Sequence, residues 1–313
     1  MAAPADMPEF KGNVVAVDTA PFWDKDIEAA IAKQGAYNNI LATAYTLKKD
    51  GSIDTEGKWN HYWKPVGKPL PEEQIWQFAT IDATEKKDQM EKRDRRFRDI
   101  TLPAGMEKWF MPDFDDSQWT SGKAPIGKGS LKNWAHSLFD LNFDKLPSRW
   151  GAGEFLLMRT TFEVEDLNCE SYRIAALVIG NQGFQGFHIY LNGQKIHTSN
   201  SSAGIPRYGA IVLNKDQTKV LTKGKNVLAA YSNDLYNVAG QSPEHYAAID
   251  MRIEGITNAD QQKLDLALEE VFSPKDREAL KGASNGGYHY FGSAKIFAQI
   301  GKAFAEALLP FQK

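Results

Sequence analysis

The sequence predicts a mainly β protein with flanking helices, built around an antiparallel β-sandwich between residues 154 and 256. Three observations predict it. Over residues 155–164, Leu156, Met158, Phe162 and Val164 fall on one face while Arg159, Thr161 and Glu163 fall on the other, the period-2 pattern of a half-buried strand. The dipeptide Asn192-Gly193, best able to supply two successive positive φ values, separates the runs 187–191 and 194–198 and so predicts a hairpin. Further apolar runs at 172–179, 208–213, 226–231 and 247–253 are separated by turns rich in Gly, Asn, Asp and Lys.

Composition narrows the function classes. At 313 residues the chain can hold more than one folding unit, and its net charge is -3. The densest basic run, residues 86–98, is interleaved with Asp88, Glu91 and Asp94, the pattern of a solvated helix or loop and not of a nucleic-acid footprint. The single cysteine, Cys169, excludes an intrachain disulfide and a cysteine metal cluster. No stretch has the apolar length that spans a bilayer, so neither nucleic acid nor membrane is an expected partner. The first residues lack the basic and apolar segments of a secretory signal.

Outside the sandwich the texture is helical. Val14, Val15, Ala16 and Val17 form a continuous apolar run, which predicts a strand buried on both faces of a parallel sheet. Ile27, Ile31, Ile40, Leu41, Ala44 and Leu47 then suit one or two helices, with Gly35 as a break and Gly51 as a stop. Residues 51–70 read as a connector whose Trp59, His61, Tyr62 and Trp63 either pin it to a domain surface or face a ligand. Residues 72–98 read as an amphipathic helix using Ile75, Phe78, Ala79 and Ile81. After residue 256, Leu264, Ala267, Leu268 and Val271 repeat helically, and Ser273, Pro274 and Asp276 supply a cap, an N1 proline and a first-turn acid. A last helix carries the stripe Ile296, Phe297, Ile300, Phe304 and Leu308. The first strand needs neighbours and the last helix needs a sheet, so both ends are expected to form one α/β domain interrupted by the sandwich.

Two resemblances sharpen this. Phe114, Asp115, Asp116, Ser117 and Trp119, then Ala124-Pro125-Ile126-Gly127, Arg159 with Phe162, Tyr190-Leu191-Asn192-Gly193, and Lys223-Gly224 with Asn226, follow in the order of the galactose-binding-like β-sandwich (jelly roll), which includes the sugar-binding domains of family 2 glycoside hydrolases. Such sandwiches bind glycans, hold calcium or brace a neighbour. Candidate saccharide contacts are the loop residues Trp134, His136, Trp150, Asn181, Gln182, Arg207 and Tyr208, because aromatic faces stack on sugar C–H faces while amides and Arg direct hydrogen bonds to hydroxyls. Trp109, Phe114 and Trp119 read instead as packing beneath a loop. No cofactor and no metal ligand set is expected; a structural calcium would fit the resemblance, but no acidic cluster stands out as its cage.

The second resemblance lies at the ends. Residues 9–23, and Gly286-Gly287-Tyr288-His289-Tyr290-Phe291-Gly292 with Ile300-Gly301-Lys302, resemble the closing segments of SGNH hydrolases, in particular sialate O-acetylesterase-like carbohydrate esterases. The resemblance implies a flavodoxin-like α/β fold, an acetylated oligo- or polysaccharide as substrate, and His289 in the place of the general base. The chain departs from that family where Gly286 stands in place of the acid three residues before the base, and no Gly-Asp-Ser motif occurs. Gly240-Gln241-Ser242 falls between sandwich strands. The expected organisation is therefore an α/β remnant at 1–50, a connector with a helix at 51–95, the sandwich at 96–257 and a closing segment with His289 at 258–313. On this reading the missing N-terminal half of the esterase domain lies upstream, the parent protein is exported, and this chain is inactive alone. The alternatives are a non-catalytic glycan-binding module and a sandwich that braces a catalytic domain.

Overall fold

The computed structural model describes residues 15–48, 53–54, 56–82, 101–128, 146–151, 154–180, 187–199, 207–232, 247–284 and 289–311. The chain divides into two compact units, Ile40–Leu264 and a second made of both ends, Met1–Asn39 with Asp265–Lys313.

The larger unit is a sandwich of two sheets. Its strands are β1 Thr43–Thr46, β2 Lys64–Pro65, β3 Trp76–Asp82, β4 Thr120–Gly122, β5 Ile126–Lys128, β6 Ser148–Arg149, β7 Glu154–Val164, β8 Ser171–Gly180, β9 Phe187–Leu191, β10 Gln194–Ser199, β11 Arg207–Val212, β12 Gly224–Ser232 and β13 Ala247–Ile256. Among the described residues one sheet runs β1-β11-β8-β13-β5-β6 with β2 also on β13, and the other runs β10-β9-β12-β7-β3-β4. The pairing of β5 with β6 is parallel. The long central pairings, β7 with β12 and β8 with β13, are antiparallel.

Alternation decides what each sheet buries. Leu156, Met158, Phe162 and Val164 of β7 meet Ile174 and Ala176 of β8, Ile189 and Leu191 of β9, and Ile249, Met251 and Ile253 of β13 in the core between the sheets. The intervening residues of β8 and β13 face the other way, where Ala175, Leu177 and Ala248 pack with Tyr45 and Tyr208 beside charged Arg173, Asp250, Arg252 and Glu254. Arg173 Nε donates to Glu254 Oε2 at 2.8 Å, the Tyr45 hydroxyl donates to the same carboxylate, and the Tyr208 hydroxyl donates to Asp250. The Arg173 guanidinium lies 4.4 Å from the Trp63 ring centroid. Burial, and then the Asp250 charge, pushes the Tyr208 hydroxyl well above its usual range.

Among the described residues of the unit of the two ends, the regular structure is helical. Its core joins Ile27, Phe291 and Ile296, with Phe22, Ile31, Leu280 and Ile300 packed against them. Asp24 Oδ1 caps the helix Lys25–Ala42 by accepting from Asp26 N at 3.0 Å and Ile27 N at 3.2 Å. Ser273 and Asp276 form a reciprocal capping box on the helix Pro274–Ala279. Thr19 Oγ1 and the Tyr290 hydroxyl share a hydrogen bond of 2.5 Å, and Lys295 Nζ donates to Asp24 at 3.0 Å. The two ends therefore pack together in one unit.

Several expectations are corrected. Val15, Ala16 and Val17 form no strand, and no strand stands among the described residues of this unit; Val14 lies outside them. A strand needs ladder partners, and none is supplied there, so the flavodoxin-like layer is not among the described elements. The first helix runs unbroken through Gly35 and stops at Ala42, after which Ala44 and Tyr45 enter β1. The helix expected over 72–98 is instead β3 where it is described, because Trp76 and Phe78 alternate into the core while residues 83–98 lie outside the described residues. On the last helix, Ala294–Leu308, Ile296 is buried while Phe297, Phe304 and Leu308 remain exposed.

Candidate functional site

The hairpin predicted at Asn192-Gly193 positions the site. Both residues take positive φ, 48° and 84°, and β9 and β10 pair antiparallel on either side. The turn is tied to β12: Asn192 Oδ1 accepts from Val227 N at 2.7 Å, and Asn192 Nδ2 donates to Val220 O at 2.8 Å and to Asn226 Oδ1 at 2.7 Å. Alternation along β9 sends Ile189 and Leu191 into the core and turns His188 and Tyr190 to the outer face of the sheet. Tyr231 of β12 joins them there.

Residues 101–119 fold over this face as a succession of tight turns, with Trp109 N donating to Met106 O at 3.2 Å and Met111 N donating to Lys108 O at 2.9 Å. Arg159, on the outer face of β7, fastens the segment. Its guanidinium donates to Met111 O at 2.8 Å, to Phe114 O at 3.0 Å and to the Asp116 carboxylate. The segment brings a nest of rings against the sheet. Phe110 stacks on Tyr190 with centroids 4.3 Å apart at 12°, and Trp109 meets Tyr190 edge-on at 5.5 Å. Trp119 lies 6.4 Å from Trp109.

Between this segment and the hairpin lies a cleft of about 590 Å³, lined by Thr101, Leu102, Glu107, Trp109, Phe110, Tyr190, Gly193, Lys195 and Tyr231. Its wall is aromatic and its polar groups are few. Lys195 stands opposite Tyr190 across the hairpin, with Nζ 5.8 Å from that ring. The Lys195 ammonium also lies 3.4 Å from His188 Nε2, and His188 Nδ1 lies 2.9 Å from Thr198 Oγ1. With the ammonium donating to Nε2, the imidazole proton belongs on Nδ1, donating to the threonine hydroxyl. Glu107 Oε2 accepts from Gly105 N at 2.9 Å and so closes a turn of its own segment.

A second cavity of about 390 Å³ is lined by Lys64, Lys68, Glu163, Asp166, Cys169 and Asp260, among others. Burial pushes the Cys169 thiol up, away from nucleophilic reactivity. Among the described residues no group of three or more His, Cys, Asp or Glu side chains could hold a metal ion. No helix among them is long and apolar enough to cross a membrane.

The residues proposed from sequence stand elsewhere. Trp134, His136, Asn181 and Gln182 lie outside the described residues, as does the Gly240-Gln241-Ser242 loop. Trp150 is buried in the core between the sheets, its indole N–H donating to Glu154 O at 3.2 Å. Tyr208, 2% exposed, is buried on β11. Neither ring offers a free face for sugar stacking, because each is already covered by protein. Arg207 is half-buried, with Nη1 3.4 Å from Thr43 Oγ1. None of these residues lines the aromatic cleft. His289 is exposed and heads a short turn, His289–Gly292, in which His289, Tyr290 and Phe291 all have positive φ of 48°, 52° and 59°. Left-handed geometry costs each such side chain about 1–2 kcal/mol, and the buried Phe291 ring holds the turn in place.

Sequence reasoning missed Phe110, Tyr190, Lys195 and Tyr231. A usable signal existed: the alternation that buries Ile189 requires His188 and Tyr190 to share the opposite face, which an aromatic-rich neighbouring segment could cover.

No protein-family model matches the sequence, and no curated protein matches it. Similar solved structures do exist. A β-glucuronidase from an uncultured Clostridium sp. is 17% identical over 63% of this chain and 29% of its own, with a TM-score of 0.32. A β-glucuronidase from glycoside hydrolase family 2 is 12% identical over 62% of this chain and 18% of its own, with a TM-score of 0.32. The PA14 sugar-binding domain from an RTX adhesin is 13% identical over 61% of this chain and 90% of its own, with a TM-score of 0.25. These are glycoside hydrolases and a sugar-binding domain, not ester hydrolases. The chain spans less than a third of each glucuronidase, and at these TM-scores the likeness carries no weight for function.

Proposed function

We propose that the larger unit is a saccharide-binding β-sandwich and that its ligand occupies the cleft over the six-stranded sheet. The observation that carries this is the cleft itself: about 590 Å³, walled by Trp109, Phe110, Tyr190 and Tyr231, with Thr101, Glu107 and Lys195 as its polar groups. Its volume falls in the range of small-molecule sites, about 300–1,000 Å³, and an apolar wall with a few convergent polar groups is their usual make-up. Trp109, Tyr190 and Tyr231 are buried and back the cleft, so half-buried Phe110 is the ring left to meet the apolar C–H face of a sugar, whose hydroxyl edge the rim groups can meet. The role we assign to the cleft is binding. An array of oligosaccharides probed with the full chain tests the reading. Saturable binding is expected, weakened about tenfold by Phe110→Ala, the scale of a lost aromatic anchor. Binding unaffected by Phe110→Ala, or none to any saccharide, contradicts it.

A second reading, a contribution to carbohydrate O-acetylester hydrolysis, is favoured by the packing of the two ends. Thr19 is hydrogen-bonded to Tyr290 at 2.5 Å, and Trp23 packs on Phe291 at 4.3 Å, so the left-handed turn presents His289 at the surface. A base held this way can take a proton, but it needs a serine opposite it. The chain alone should therefore leave an acetylated sugar at its buffer rate of hydrolysis. Turnover abolished by His289→Ala would show that a nucleophile had been overlooked.

A further inference from the structure

We infer that Lys195 is the ligand-reading cation of the aromatic cleft, and that the saccharide it takes carries a negative charge, as a uronate carboxylate or a sulfate ester. This rests on the saccharide reading of the cleft and goes beyond it by naming the class. Among the described residues two charged side chains line the cleft, Glu107 and Lys195. They are not equivalent. Glu107 turns a carboxylate oxygen onto Gly105 N at 2.9 Å, so part of its acceptor capacity serves its own turn. Lys195 has no carboxylate partner among the described residues; its contacts are the His188 ring nitrogen at 3.4 Å and the Tyr190 ring at 5.8 Å. An ammonium has three N–H donors, and His188 can accept only one.

The placement is also held. His188 is buried, and its other ring nitrogen is fixed on Thr198, so it cannot follow Lys195 outward. The hairpin sets Lys195 opposite Tyr190. A sugar resting against Phe110, the half-buried ring of the cleft, therefore has one edge towards a cation with two further N–H donors. A carboxylate or a sulfate oxygen is the group that gains most from that position, since a charge-assisted hydrogen bond is about twice as strong as a neutral one.

Isothermal titration of the full chain with three trisaccharides tests this: a trigalacturonate, a sulfated galactotriose and the unmodified neutral galactotriose. At low salt at least one acidic sugar should bind about fivefold more tightly than the neutral one, and the arm that does so identifies the anion. The preference should fall at 0.5 M salt, an added test condition. Lys195→Gln should abolish the preference, leaving acidic and neutral sugars bound alike, and Lys195→Glu should reverse it; Lys195 is exposed, so unchanged melting of both variants is expected. Equal affinity for all three sugars, or an acidic preference surviving in either variant, overturns the inference while leaving the saccharide reading intact. Absence of binding by all three together with no hit on the oligosaccharide array removes both; absence here with a neutral hit on the array removes the inference alone.

Discussion

Arg159 and Asp116 stand 43 residues apart in sequence and form an ion pair on the outer face of β7, with the guanidinium almost fully buried and the carboxylate partly exposed. The same guanidinium holds the carbonyls of Met111 and Phe114, so one side chain fixes the segment that walls the cleft. Replacing Arg159 by Met leaves those acceptors under the segment without their donor. Such a loss costs about 3 kcal/mol, read as a fall in the urea midpoint at unchanged slope. A change below about 0.5 kcal/mol would mean that the rings alone hold the segment.

Gly193 is under two constraints. Its φ is +84°, and a Cβ there would stand 2.7 Å from Met111 Sδ. Gly193→Ala should destabilise by about 1–2 kcal/mol and displace Met111, the neighbour of Phe110 in the segment that walls the cleft. Circular-dichroism melting gives the first effect, and weaker ligand binding reports the second.

Glu254 is fully buried and receives both Arg173 and Tyr45. Glu254→Gln keeps the shape and removes the charge, leaving Arg173 buried without its counter-ion. A loss of about 3–5 kcal/mol is expected in denaturant unfolding. Arg173→Met made together with Glu254→Leu should recover a large part of it, since replacing both partners by apolar groups is far milder than removing one.

Acid should weaken the helical unit through Asp276. Lys33 first, and the Ser273 hydroxyl and amide next, hold its carboxyl down to about 2. An unfolded Asp titrates near about 3.9. The folded value lies below the unfolded one, so the stabilisation is complete above about pH 4 and is lost as pH falls through about 2. Urea midpoints measured across that window should decline, and the decline should be shallower in Asp276→Asn.

Much of the sandwich was legible because its signals are local. Asn192-Gly193 fixes a turn by backbone sterics alone, and the alternation of 155–164 sorts residues between two faces whatever lies opposite. The apolar residues Val15, Ala16 and Val17 form no strand for the opposite reason: a buried strand is defined by partners, and a short apolar run does not show whether they exist. Residues 72–98 read as a helix on Ile75, Phe78, Ala79 and Ile81, although the spacing of two between Trp76 and Phe78 is that of the strand they form.

The cleft was harder to read. Phe110 and Tyr190 are eighty positions apart, and their contact depends on long-range packing together with the Arg159 clamp. Trp150 and Tyr208 have the residue types of a sugar platform, but burial consumes both faces of their rings. Residue type is local; exposure is a property of the whole fold.

The most direct test is an amide-resonance titration of the isotopically labelled chain with a saccharide that it binds. Saturable shifts should cluster at Thr101, Glu107, Phe110, Gly193 and Lys195, around the one cleft, and should vanish in Phe110→Ala. Shifts that gather instead around Lys64, Lys68 and Asp260, or that never saturate, would contradict the assignment of the ligand site to the outer face of the six-stranded sheet.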